Sequence, residues 1–210
     1  MIDSKNSLSI LWFGQRWDKY RRRDIELISR LIKLSSIEHI ILIEPPLPFT
    51  SIFNLWRQNY DEDGKETWQR IFKHGYVWDP EPNIRIVSPL VPVLGKGKIA
   101  NYFINLSRRF TANIILRRLN IKRLILWIGY PYISSSFIGK FGESLFCYSL
   151  CENFKEKNPS YIELFNSENH SLSEKADVIF VVTEYLALQY QKHKYKVHVV
   201  PNGVDVKWIE

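Results

Sequence analysis

Short, almost wholly apolar runs recur along this chain, and between them apolar positions fall every three or four residues. The short runs are "LSILWF" (8–13), "HIILIE" (39–44), "NIRIVSP" (83–89), "RLILWI" (123–128), "LFCYSL" (145–150), "DVIFVV" (177–182) and "KVHVV" (196–200). Runs of this length, apolar on both alternate sets of positions, predict strands buried on both faces. Between them, "DKYRRRDIELISRLIKLSS" (18–36) places Ile25, Ile28, Leu31 and Ile32 on one helical face. Similar spacing predicts helices over 98–119, 160–175 and 184–193. Apolar strands alternating with amphipathic helices predict an α/β fold, a doubly wound and mostly parallel sheet with helices on both faces.

The stretch 49–82 breaks the alternation. It carries Trp56, Trp68 and Trp78 around a polar turn at Asp61–Gly64. This reads as an insertion after the second strand, part helix and part hairpin, whose aromatics form a satellite core or grip a substrate. Residues 1–200 then form one domain. A content of 45% hydrophobic and 14% aromatic residues is enough to bury a sizeable core in 210 residues. The longest apolar runs are too short to span a bilayer. The opening "MIDSKNSLSILWF" lacks a basic n-region, so a cytoplasmic location is expected. Cys147 and Cys151 on one strand would stand about 13 Å apart, too far for a disulfide.

The net charge of +7 is unevenly placed. No acidic residue occurs between Glu81 and Glu143, whereas Arg108, Arg109, Arg117, Arg118 and six other basic residues do. Such a block either faces an anionic partner or is a solvated surface. On the 98–119 helix, Ile99, Phe103, Leu106 and Phe110 recur at 3–4 spacing beside the arginines. That is the pattern of an interfacial helix, or of a core-packed helix with a basic outer face.

Familiar catalytic patterns are absent. The first predicted strand turns through "FGQRWDKY", with one glycine where dinucleotide binding needs three. No Walker loop, nucleophile elbow or H-E-x-x-H occurs, and the five histidines do not cluster, so no metal site is expected. Position remains informative, because ligands of open α/β sheets bind beyond the carboxyl ends of the strands. The residues there are Gly14, Gln15, Arg16 and Trp17, then Tyr130, Glu152 and Asn153, and Thr183 and Glu184. Thr183 also fits a helix N-cap. Glu152, just beyond an apolar strand, is the candidate general acid/base.

The segment "EKADVIFVVTEYLALQY…KVHVVPNGVD" resembles the close of the N-terminal domain in GT-B glycosyltransferases of the large retaining family 4. "FCYSLCENF" resembles the strand of teichuronic-acid-type sugar transferases that ends in paired acids, with Tyr148 at a frequent Tyr. "FGQRWDKYRRRDIELISRL" is similar to their opening strand, loop and first helix. The pair here is Glu152-Asn153, where many members carry His-Asp. The resemblance implies a Rossmann-like acceptor-binding domain. Pro201, Asn202, Gly203 and Asp205 would then begin the hinge (201–210) to a donor-binding domain, in the same or a separate chain.

That resemblance implies a part in nucleotide-sugar-dependent transfer to a sugar or lipid-linked acceptor, in cell-envelope or surface polysaccharide synthesis. This domain would bind no cofactor itself, the nucleotide-sugar being held mainly by its partner domain, and would be inactive alone. Arg108, Arg109, Arg117 and Arg118 would face the anionic inner surface of the membrane. One alternative is a non-catalytic binding subunit at a membrane surface. A nucleic-acid-binding α/β domain ranks last, because no recognised nucleic-acid motif occurs.

Overall fold

The computed structural model describes residues 7–17, 23–54, 62–92, 98–129, 134–150 and 162–201. Its elements in chain order are β1 (Leu8–Phe13), α1 (Arg23–Leu31), β2 (Ile37–Ile43), β3 (Leu47–Pro48), α2 (Glu62–His74), β4 (Val77–Glu81), β5 (Ile84–Val87), β6 (Leu90–Val91), α3 (Lys98–Arg118), β7 (Leu124–Ile128), β8 (Leu145–Leu150), α4 (Ile162–Lys175), β9 (Val178–Val181), α5 (Glu184–Leu188) and β10 (Val197–Val199).

The main sheet has eight strands in the order β10-β9-β8-β7-β1-β2-β5-β4. Every pairing from β10 to β5 is parallel. Only β4 runs antiparallel, joined to β5 by a tight turn in which Asn83 takes φ 66°. The chain winds outward from β1 in both directions, so the doubly wound α/β fold expected from the apolar runs is the fold found. Each face has its own core, because successive strand residues point to opposite sides. Leu11, Phe13, Ile41 and Ile43 pack with Ala112, Ile115 and Leu116 of α3, Leu172 of α4 and Leu186 of α5. Ile10, Trp12, Ile40 and Leu42 pack with Ile28 of α1 on the other side. Burial of each large side chain contributes about 1.5–3 kcal/mol.

Local signals close the elements. Asp24 and Glu26 sit in the first turn of α1 and Arg30 in its last, matching the helix dipole. Gly75 ends α2 at φ 85°, donating its N–H to Ile71 O at 2.8 Å. Asn120 takes the left-handed conformation after α3, at φ 51°. The helix expected over 184–193 stops at Leu188 and gives way to a 3₁₀ turn over Gln191–Lys196.

The insertion is part helix and part hairpin. A 3₁₀ turn (Phe49–Asn54) and α2 fold over the β5 end of the sheet, and β4 pairs back onto β5. Trp68 is buried and its indole N–H donates to Ser51 Oγ at 2.8 Å. The two-residue strands β3 and β6, which pair with each other, are too short to leave a pattern in sequence.

Candidate functional site

Because the strands are parallel, the turns after β1, β2, β5, β7, β8, β9 and β10 open on one edge. The switch point lies between β1 and β7, where the order of winding reverses. Each of these strands is followed there by glycine. A Cβ on Gly14 would stand 2.7 Å from Trp12 Nε1 and 3.0 Å from Asp24 Oδ2. A Cβ on Gly129 would meet the same two atoms at 3.2 and 3.3 Å. The backbones of both strands therefore close directly over the Trp12 indole and the first turn of α1. Trp12 stacks on Trp127, its register partner on β7, with centroids 4.4 Å apart and planes 11° apart. Both indole N–H groups are buried without a hydrogen-bond partner.

Beside the switch point, β2 ends in Glu44, which is 0% exposed. Trp17 N donates to its Oε1 at 2.6 Å, and Ser88 Oγ, at the end of β5, donates to its Oε2 at 2.6 Å. Arg70 of α2 donates to the same Oε2, to Ser88 Oγ at 3.0 Å, and to Trp17 O. Burial pushes the Glu44 carboxyl above its ordinary value, against the opposing pull of Arg70, Ser88, Trp17 and Arg16. The network fastens the loop after β1 and the inserted helix to the sheet edge. Over it opens a cavity of about 370 Å³, lined by Trp17, Glu66, Arg70, Lys73, His74 and Trp78. His74 stacks on Trp78 at 5.4 Å, and the Arg70 guanidinium lies 5.4 Å from the same ring. The lining thus combines two indole faces with cationic and hydrogen-bonding side chains.

Of the residues singled out from sequence, Gly14, Gln15, Arg16 and Trp17 lie together on this edge, and Trp17 lines the cavity. Thr183 caps α5, its hydroxyl accepting from Leu186 N at 3.2 Å, and Glu184 is the exposed first residue of that helix. Pro201 follows β10 on the same edge and is exposed. Tyr130, Glu152, Asn153, Asn202, Gly203 and Asp205 lie outside the described residues. Tyr148 is wholly buried; its hydroxyl donates to Asn169 Oδ1 at 2.8 Å, as does that of Tyr190 at 2.7 Å. These bonds tie β8, α4 and the segment after α5 into one unit. Cys147 is buried and its thiol is pushed up to about 12 by burial and by Asp177, which leaves it inert.

The four arginines of α3 do not act alike. Arg109, Arg117 and Arg118 are exposed, but Arg108 is turned inward and only 6% exposed. It shares the helix face of Ala112 and Ile115, four and seven residues on, so it cannot join a membrane-facing set. Tyr102, Phe103, Leu106 and Phe110 are exposed on the opposite side.

Sequence reasoning missed Glu44, Arg70 and Ser88. Glu44 was absorbed into an apolar run, and its partners lie far along the chain. The one available signal was an acid closing a buried strand, where a carboxylate must find partners. Among the described residues, no group of three His, Cys, Asp or Glu is arranged to hold a metal ion. No protein-family model matches this sequence, and no curated protein matches it.

Proposed function

We propose that this chain is the acceptor-side domain of a nucleotide-sugar-dependent, retaining glycosyltransferase of cell-envelope or surface polysaccharide synthesis. The observation that carries the reading is the carboxyl edge at the switch point. There two glycines bring strand backbones close, and farther along the same edge an aromatic and cationic cavity opens over the Glu44 network. Ligands of doubly wound sheets bind at such an edge. The resemblance of 174–205 to the end of a GT-B acceptor domain supports the same reading.

In this reading the edge presents an acceptor hydroxyl to a sugar nucleotide held by a donor-binding domain, in the same or a separate chain. Glu152, which follows β8 in sequence, accepts a hydrogen bond from that hydroxyl. It takes the proton as the new glycosidic bond forms and the nucleoside diphosphate departs. The purified chain should transfer no sugar alone. Supplied with a donor-binding domain, a labelled nucleotide-sugar and envelope acceptor, it should give labelled product. Glu152→Gln should then lower turnover by about 10²-fold. Transfer by the isolated chain, or full activity of Glu152→Gln, would overturn the assignment.

The second reading, a binding subunit at the membrane, is favoured by α3. Its exposed Tyr102, Phe103, Leu106 and Phe110 adjoin the exposed cations Arg109, Arg117 and Arg118. An anionic lipid surface at the cytoplasmic face fits that mixture, each cation that reaches it contributing about 1 kcal/mol. Among the described residues, no helix is long and apolar enough to cross a membrane. Phosphatidylglycerol vesicles should float the wild-type chain but not the Phe103→Ser/Phe110→Ser variant. Steep salt-dependent binding to DNA or RNA, without binding to vesicles, would instead favour a nucleic-acid role.

A further inference from the structure

The cavity over the Glu44 network is held more firmly than a surface hollow needs to be. Trp17 N donates to Glu44 Oε1 at 2.6 Å, and Trp17 O accepts from Arg70, so one buried ion pair holds both backbone groups of this residue. Its side chain is half-buried against the core of Ile10, Trp12 and Ile28, and it lines the cavity. Clamping a tryptophan at both its N–H and its C=O orders the end of β1 before any ligand arrives. That removes part of the cost of binding one.

The two indoles of the lining are not equivalent. Trp78 carries His74 stacked at 5.4 Å and the Arg70 guanidinium 5.4 Å from its ring centroid, so it is a buttress of the wall. The Trp17 indole meets no ring and no cation among the described residues. Elsewhere in the lining, Glu66, Gln69 and Lys73 share one face of α2, at spacings of three and four residues. Gln69 and Lys73 are exposed, and neither makes a hydrogen bond or ion pair with the described residues. Arg70 is answered by Glu44, and Lys73 shares the lining with Glu66, so no large positive field is left for an anion.

We infer that this cavity is a subsite for one neutral sugar ring. A pyranose presents apolar C–H bonds on a face and a rim of hydroxyls that both donate and accept. The Trp17 indole answers the face. The Gln69 amide offers a donor and an acceptor to the rim, Lys73 offers donors and Glu66 acceptor oxygens. The volume of about 370 Å³ lies at the low end of the roughly 300–1,000 Å³ of small-molecule sites, which suits one ring and not a chain. A nucleobase would stack on both its faces, and Trp78 is already covered. Trp78, on β4, stands three strands from β1, about 14 Å across the sheet, so the subsite is set apart from the switch point. Under the transfer reading above, and resting on it, the ring held here is a unit of the acceptor remote from the reacting hydroxyl. The binding itself does not need that reading.

The test is titration of the full chain with the methyl glycosides of glucose, galactose, mannose and N-acetylglucosamine, followed by saturation-transfer NMR and calorimetry. At least one glycoside should bind, receiving saturation through its ring C–H protons, while uridine and inorganic phosphate should not compete with it. Trp17→Ala should weaken binding about tenfold or more, and Gln69→Ala about three- to tenfold, the loss of one hydrogen-bonding group. Gln69 is exposed, so its variant keeps the fold and reads the site even where Trp17→Ala unfolds. No glycoside bound at tens of millimolar, binding unchanged in the Gln69 variant, or uridine or phosphate binding in place of the glycosides would overturn the assignment. The measurement needs no donor-binding domain, so the two readings fail separately. Glycoside binding without transfer in the reconstituted enzyme upholds the subsite and sinks the reaction, whereas transfer without glycoside binding sinks the subsite alone.

Discussion

Arg70 on α2 binds the carboxylate of Glu44 at the end of β2, 26 residues earlier, and that carboxylate has no exposed surface. The contact joins an insertion to the central sheet through one ion pair. Removing one partner of a buried pair strands the other charge and costs about 3–5 kcal/mol. Arg70→Met should therefore lower the unfolding temperature by roughly 10 °C. Calorimetry checks this, and a shift under 2 °C would mean that water replaces the guanidinium.

The pH dependence of the same group has a definite sign. Burial raises the Glu44 carboxyl above its ordinary 4.5 in the folded state. Its contribution to stability is thus fully present below that value and is lost as pH rises through the folded-state value. The stability difference between wild type and Glu44→Gln should be flat at low pH and should fall as pH rises above 4.5. Urea unfolding at closely spaced pH values measures it. A difference that grows with pH would mean that Arg70 outweighs desolvation.

Gly14 and Gly129 allow a graded test of the switch point. Alanine at Gly14 would place its Cβ 2.7 Å from an indole held by stacking, whereas at Gly129 the gap is 3.2 Å. Gly14→Ala should destabilise by about 1–3 kcal/mol and Gly129→Ala by less. Denaturant midpoints read the order directly, and the reverse order would contradict the packing.

Lys196 is buried, and its ammonium donates to Glu174 O at 3.0 Å and Ala176 O at 2.8 Å, closing the carboxyl end of α4. Lys196→Met keeps the stem and abandons both carbonyls, so it should cost about 2 kcal/mol. Hydrogen exchange should quicken in the last turn of α4. Unchanged protection there would assign the lysine to packing alone.

The periodicity of apolar runs was enough to place the parallel strands, because burial on both faces leaves a run that helices do not imitate. It could not place β3 and β6, whose two residues each carry no period. Nor could it reveal Glu44, since the reasons for an acid at that position lie in Arg70 and Ser88, distant in sequence. Arg108 is a different case. Residue type argued for the surface, and the 3–4 spacing that stood out on this helix was that of Phe103, Leu106 and Phe110, which are exposed, whereas Arg108 shares the buried face of Ala112 and Ile115. Thr183 was readable as a cap because capping is a local matter of hydroxyl and backbone.

The stacked pair Trp12 and Trp127 turns the centre of this sheet into an optical probe. Two indoles stacked with nearly parallel planes at contact distance share their electronic excitation, which gives paired near-ultraviolet circular dichroism bands of opposite sign. Phe180 continues the stack from β9, 4.9 Å from Trp127. The signal exists only while β1 and β7 are in register, since that register alone sets the two rings side by side. Loss of the couplet would thus report separation of these two strands, apart from helix melting followed in the far ultraviolet.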